Sequence, residues 1–211
     1  MRVRVITPPE PIVTPAAIAG DHAAEDATVA AQIQAVTEDI DGPTGWLGRA
    51  LGPQTLELSI DCWGSGIVRL PYRPIIGVVS ITYADAEGVD QTVEAASYSL
   101  TDDLLWFRPT WSAPAVASQP SPIRIRYKAG YNGTTGAAEG DQQTGAIPER
   151  ARQAIILAVQ HLRSLGSENL FLRSIEVPDV ITKSYTVSDQ ASGIIQRATD
   201  SLLQGLRIFS L

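Results

Sequence analysis

The chain has 211 residues, 44% hydrophobic and 18% charged, with a net charge of −7 and a single cysteine. That length buries a sizeable core as one large domain or two small ones, and a charged fraction below the ~25% of ordinary domains predicts surface that partners cover. Cys62 alone excludes an internal disulfide framework, no apolar run approaches the ~20 residues of a membrane helix, and the acidic balance excludes an overall basic footprint for phosphate.

Along the chain, "MRVRVITPPEP" shows no signal-peptide pattern. Thr14-Pro15 reads as a helix start, and "PAAIAG" gives at most two turns before Gly20. Asp21 or a neighbour caps a longer helix. Val29, Ile33, Val36 and Ile40 form its stripe, and Glu25 and Asp26 sit in its first turn. Gly42-Pro43 ends it. "TGWLGRALG" is a short elbow anchored by Trp46, Leu47 and Leu51, and Pro53 stops it.

Period 2 then replaces period 3.6. Leu56, Leu58 and Ile60 alternate with Glu57, Ser59 and Asp61, as in a half-buried strand. Further strands are predicted at 67–70, 75–84, within "QTVEAASYSL" and in "DDLLWFRP". A Pro/Ser/Ala-rich loop follows. In the next strand Ile123, Ile125 and Tyr127 alternate with Arg124, Arg126 and Lys128, which gives an apolar face and a cationic face. The β region is expected at 54–129, as a meander of about six strands.

Residues 130–146 read as a flexible loop with five glycines. Pro148 opens a helix whose stripe is Ile147, Ala151, Ala154, Ile155, Ala158, Leu162 and Leu165, closed near Gly166. "SENLFLRSIEVPDVITKSYTV" predicts extended structure or a hairpin, because Pro178 opposes a helix. Ser188 caps a last helix with Ile194, Ile195, Ala198, Leu202 and Leu206 on one side. The expected class is α+β. The N- and C-terminal segments, 1–53 and 147–211, form a helical bundle, and an antiparallel β region is inserted at 54–129.

Signals of a reaction are thin. His22 and His161 are isolated, Cys62 has no histidine near it in sequence, and no G-x-S-x-G, C-x-x-C or H-E-x-x-H occurs. "GYNGTTG" lacks the lysine and the strand–turn–helix setting of a phosphate cradle. Asp39, Asp41, Asp102 and Asp103 lack the rest of a cation loop. No enzyme, cofactor or metal is expected. Trp63, Trp106, Phe107 and Trp111 belong to a core or to an interface; a carbohydrate-binding or other interaction module is the alternative function.

Charge is lopsided. Residues 1–103 hold fifteen acids and five bases, residues 104–211 eight acids and eleven bases, and 10–48 hold seven acids and no lysine or arginine.

This layout resembles the head-to-tail connector (adaptor) family of long-tailed bacteriophages and gene transfer agents. The likeness rests on "RVITPPEPIVT" leading into helices, "GWLGRALGPQTLEL", "LPYRPIIGVVSITYADAEGVDQTV" followed by "IRIRYKAGY" and "IPERARQAIILAVQHL", and the ending "SYTV" with "ATDSLLQGLRIF". It implies a structural ring of twelve copies between the portal and the next tail component, a stopper or tail-completion protein. DNA would pass through the ring without specific binding, in a virion assembled in the bacterial cytoplasm, with no membrane involved. In that setting Glu25, Asp26, Glu38, Asp39 and Asp41 are candidates for the channel lining, where like charge keeps phosphate moving. Arg124, Arg126 and Lys128 are candidates for a head-to-tail subunit interface. Leu202, Leu203, Leu206, Arg207, Ile208 and Phe209 are candidates for portal docking; the other reading of that tail is that it folds back onto its own helices.

Overall fold

The computed structural model describes residues 1–167, 174–177, 181–184 and 189–209. In chain order the elements are β1 (Arg2–Thr7), α1 (Ala27–Ile40), β2 (Gln54–Ile60), β3 (Ile67–Arg69), β4 (Ile75–Ala84), β5 (Asp90–Thr92), β6 (Tyr98–Thr101), β7 (Leu104–Phe107), β8 (Ile123–Ala129), α2 (Glu149–Ser167), β9 (Ser174–Val177), β10 (Ile181–Ser184) and α3 (Asp189–Gln204). Two compact units emerge. One comprises Met1–Ile12, Ile40–Ile147 and Ile208–Leu211; the other comprises Val13–Asp39 and Pro148–Arg207.

The first unit holds a five-stranded antiparallel sheet, ordered β1-β2-β8-β4-β5, and a three-stranded one, ordered β3-β7-β6. Alternation decides which side chains go inward. Leu56 and Leu58 of β2 and Ile123, Ile125 and Tyr127 of β8 are fully buried. They share one core cluster with Leu105 and Phe107 of β7 and with Trp63. Removing such a buried leucine or isoleucine costs about 2–5 kcal/mol. Beside β8, β4 slips register between Ile75 and Gly77 and between Val78 and Ser80. The second slip leaves Val79 51% exposed although it follows the apolar Ile75, Ile76 and Val78.

Residues 130–146 carry a hydrogen-bond network. Asn132 and Thr144 are bonded through backbone and side chain, and Gln142 donates to the carbonyls of Ile75 and Asp102.

The second unit contains α2 and α3, which pack together, and most of α1. Val29 and Ile33 of α1, Ala151, Ala154, Ile155 and Val159 of α2, and Leu203 of α3 are buried. α2 runs through Gly166 to Ser167. β9 and β10 pair antiparallel in the stretch that the sequence leaves between extended structure and hairpin. Ser188 and residues 168–173 lie outside the described residues.

The expected helical bundle with a β insertion is overturned. Among the described residues there are three α-helices against ten strands. The N-terminus is not helical: residues 2–7 form an edge strand, with Arg2 opposite Ser59 and Arg4 opposite Glu57. Arg2-Val3-Arg4-Val5 has period 2, and Pro8, Pro9 and Pro11 deny the next residues a helix. "PAAIAG" yields only the 3₁₀ turn Pro15–Ala17, too short to repay helix nucleation. The β region is no meander either. Seven strands from β2 to β8 divide between two sheets, and β8 lies between β2 and β4. What holds is the α+β class.

Candidate interaction surfaces

The elbow between α1 and β2 is built around a buried carboxylate. Asp41 Oδ1 accepts from the Leu51 N–H at 2.7 Å and from Gln54 Nε2 at 3.1 Å, and Oδ2 accepts from the Gly52 N–H at 3.3 Å. Burial pushes the Asp41 carboxyl up to about 6, against those hydrogen bonds. Gly45 is needed here because a Cβ would overlap the Ile40 carbonyl. Gly48 has φ +67° and faces the Ile208 carbonyl. Asp41 was a channel-lining candidate. It is 5% exposed, so its charge faces the elbow.

Of the other acids proposed for that lining, Glu25, Glu38 and Asp39 are exposed. Asp26 caps α1 by accepting from the N–H groups of Thr28 and Val29 at 2.8 and 3.0 Å. Its carboxyl lies below the ordinary range, chiefly because of the Val29 hydrogen bond.

The cationic face of β8 exists, and its members already have partners. Arg124 Nη2 meets Asp90 at 2.6 Å and Lys128 Nζ meets Asp141 at 3.0 Å. Arg126 Nε meets Glu57 at 2.7 Å, and from the other side Arg4 Nη2 meets Glu57 at 2.7 Å. Glu57 thus sits between two guanidiniums, one from each neighbouring strand, with its side chain 1% exposed. Burial raises the Glu57 carboxyl, but the hydrogen bonds and charges of Arg126 and Arg4 outweigh it and hold the group below its ordinary range.

At the C-terminal end, Leu203 and Leu206 are buried, Leu202 and Ile208 are half-buried, and Arg207 and Phe209 are exposed. The Ile208 N–H donates to the Leu47 carbonyl at 2.9 Å. The docking candidates therefore divide. Leu203 on α3 and Leu206 in the turn after it, whose N–H donates to the Leu203 carbonyl, are buried in the chain's own interior, whereas Phe209 is 73% exposed.

The aromatics expected as core or interface also divide. Trp63 is buried and donates from Nε1 to the Pro114 carbonyl at 3.0 Å. Its ring meets Tyr83, Phe107 and Trp111 edge-on at 5.1–5.5 Å, and Phe107 stacks on Trp111 at 4.2 Å. A cluster packed on itself offers no row of exposed rings to a sugar. Trp106 alternates to the opposite face of β7 and is 44% exposed.

His22 is held between the carbonyls of Ile18 and Ala23, each at 2.9 Å. Cys62 is exposed. Asp103 serves Arg69 at 3.4 Å and Arg73 at 3.8 Å. Among the described residues, no three potential ligands gather as a metal site would require.

No protein-family model matches the sequence, and no curated protein does. Solved structures do. A chain from the neck of a native gene transfer agent (GTA) particle, computed with C12 symmetry, is 18% identical with a TM-score of 0.61. A chain from the virion of a native GTA particle is 19% identical at 0.62. One from the neck of an empty GTA particle, computed with C6 symmetry, is 20% identical at 0.61. Each match covers 100% of this chain and 97% of the other. The chain shares the fold of these GTA particle chains.

Within this GTA-neck fold, sequence reasoning missed Glu57 as the hub of the cationic face. Its partners Arg4 and Arg126 lie 53 and 69 residues away, so no local spacing signals the triad. Asp41 is similar: its acceptors' role emerges only once residues 51–54 return past the end of α1.

Proposed function

We propose that this chain is a non-enzymatic structural component of the neck of a phage-like or gene transfer agent particle. It forms a ring between portal and tail, and DNA passes through that ring. The observation that carries this reading is the end-to-end fold match to chains from GTA necks, solved as symmetric assemblies with C12 and C6 symmetry. Supporting it is the acidic, Lys/Arg-free stretch 10–48.

In this reading the exposed acids Glu25, Glu38 and Asp39 repel phosphate. Arg124, Arg126 and Lys128 stiffen the sheet through their ion pairs, and what they offer a neighbouring copy is the half-exposed outer side of those pairs. Portal docking falls to Arg207 and Phe209, the exposed members of the tail candidates, with Phe209 as the apolar anchor.

The test is electron microscopy of the purified chain mixed with the particle's portal ring. A coaxial ring of this chain at one end of the portal is the expected result; no association sinks the reading. Phe209→Ala is expected to weaken portal binding by about tenfold while melting as the parent chain does, since its ring is exposed. Deletion of 206–211 would be a poor test, because Leu206 belongs to the interior.

A further inference from the structure

The three-stranded sheet turns to solvent a face on which Ile67 and Trp106 form an apolar pair, with Ser99 and Thr101 of β6 beside them. Ile67 of β3 and Trp106 of β7 are direct cross-strand partners, and they are 58% and 44% exposed. Next to them on the same face, Arg69 stands opposite the half-buried Leu104. Arg108, two residues beyond Trp106, is also exposed. β3, β6 and β7 contain no acidic residue. Asp103, in the β6–β7 turn, is buried and engages Arg69 and Arg73. Arg108 makes no ion pair among the described residues. An aromatic and a β-branched side chain rimmed by arginines form a small hot spot that calls for an apolar, acidic partner.

The chain itself carries that partner. The solvent side of α1 presents Ala27, Ala31 and Ala35, followed by Glu38 and Asp39, all exposed. No lysine or arginine lies between residues 10 and 48 to oppose the rim. Small side chains let an indole approach the helix closely, and the two carboxylates then meet Arg69 and Arg108. Two different surfaces of one chain that complement each other generate a head-to-tail assembly.

We infer that the Ile67–Trp106 face of one copy receives the acidic side of α1 of the next copy. This rests on the ring reading above and gives the ring a subunit contact centred on Ile67 and Trp106, besides the outer side of the β8 ion pairs.

The experiment uses full-length chain with Cys62→Ser, carrying either Ala31→Cys or Ile67→Cys, and a short bismaleimide. The expected result is a covalent dimer when the two variants are mixed and none from either alone. Arg108→Glu should lower the yield about tenfold, and Asp39→Arg in the other copy should restore it. Equal melting of Arg108→Glu and parent separates this from misfolding. Homodimers from Ile67→Cys alone overturn the proposal, because the face would then pair with itself. Association seen by sedimentation without the mixed cross-link also overturns it and leaves the ring reading standing. A chain that stays monomeric at every concentration overturns it too, and the ring reading is then decided by the portal experiment.

Discussion

Two buried carboxylates carry opposite pH dependences. Asp41 titrates near 6 in the folded chain and near 3.8 when unfolded. Between those values the folded state holds a proton that the unfolded state has lost. Asp41 therefore makes the protein less stable as pH rises through that window, by on the order of 3 kcal/mol in full. Urea unfolding from pH 4 to 7 is expected to show this falling arm, and Asp41→Asn to flatten it. Glu57 is depressed below its ordinary value of 4.5. Its contribution is present above that value and is lost as pH falls through the folded pKa. Glu57→Gln leaves Arg4 and Arg126 without their shared anion. Both arginines are about half exposed and rehydrate, so the expected cost is about 1–2 kcal/mol, read as a lower denaturation midpoint at pH 7.

At the scale of elements, period and breakers made β8, β4 and the stripe of α1 legible from sequence. Tyr127 and Ile125 bury where alternation puts them, and Ile33 and Val29 where the 3.6-residue period does. β1 was not legible. It offers two valines alternating with two arginines, Pro8, Pro9, Glu10 and Pro11 follow at once, and its pairing partner β2 is some fifty residues away. The register slips of β4 were invisible for a related reason: its apolar residues come in consecutive pairs, Ile75-Ile76 and Val78-Val79, so alternation does not mark where the pairing shifts. Of the candidate surfaces, the cation row was readable but its partners were not, and Phe209 could not be told from Leu206 because both follow the end of α3, where no helical period applies. The elbow provides a direct check on an element. Gly45→Ala forces a methyl into the Ile40 carbonyl, and because the obstacle is backbone the expected loss exceeds ~2 kcal/mol by chemical denaturation.

For the whole molecule, an acidic composition accompanies a fold shared with chains of GTA particle necks. The chain is expected not to retain duplex DNA at moderate salt in a filter-binding assay, since residues 10–48 carry seven acids and no lysine or arginine and the net charge is −7. The central claim is that copies of this chain form a ring on a portal, and imaging the chain mixed with that portal by electron microscopy tests it most directly. The account predicts a closed ring of this chain sharing the portal's axis at one end. Portal rings that remain bare, with the chain dispersed as single copies beside them, would contradict it.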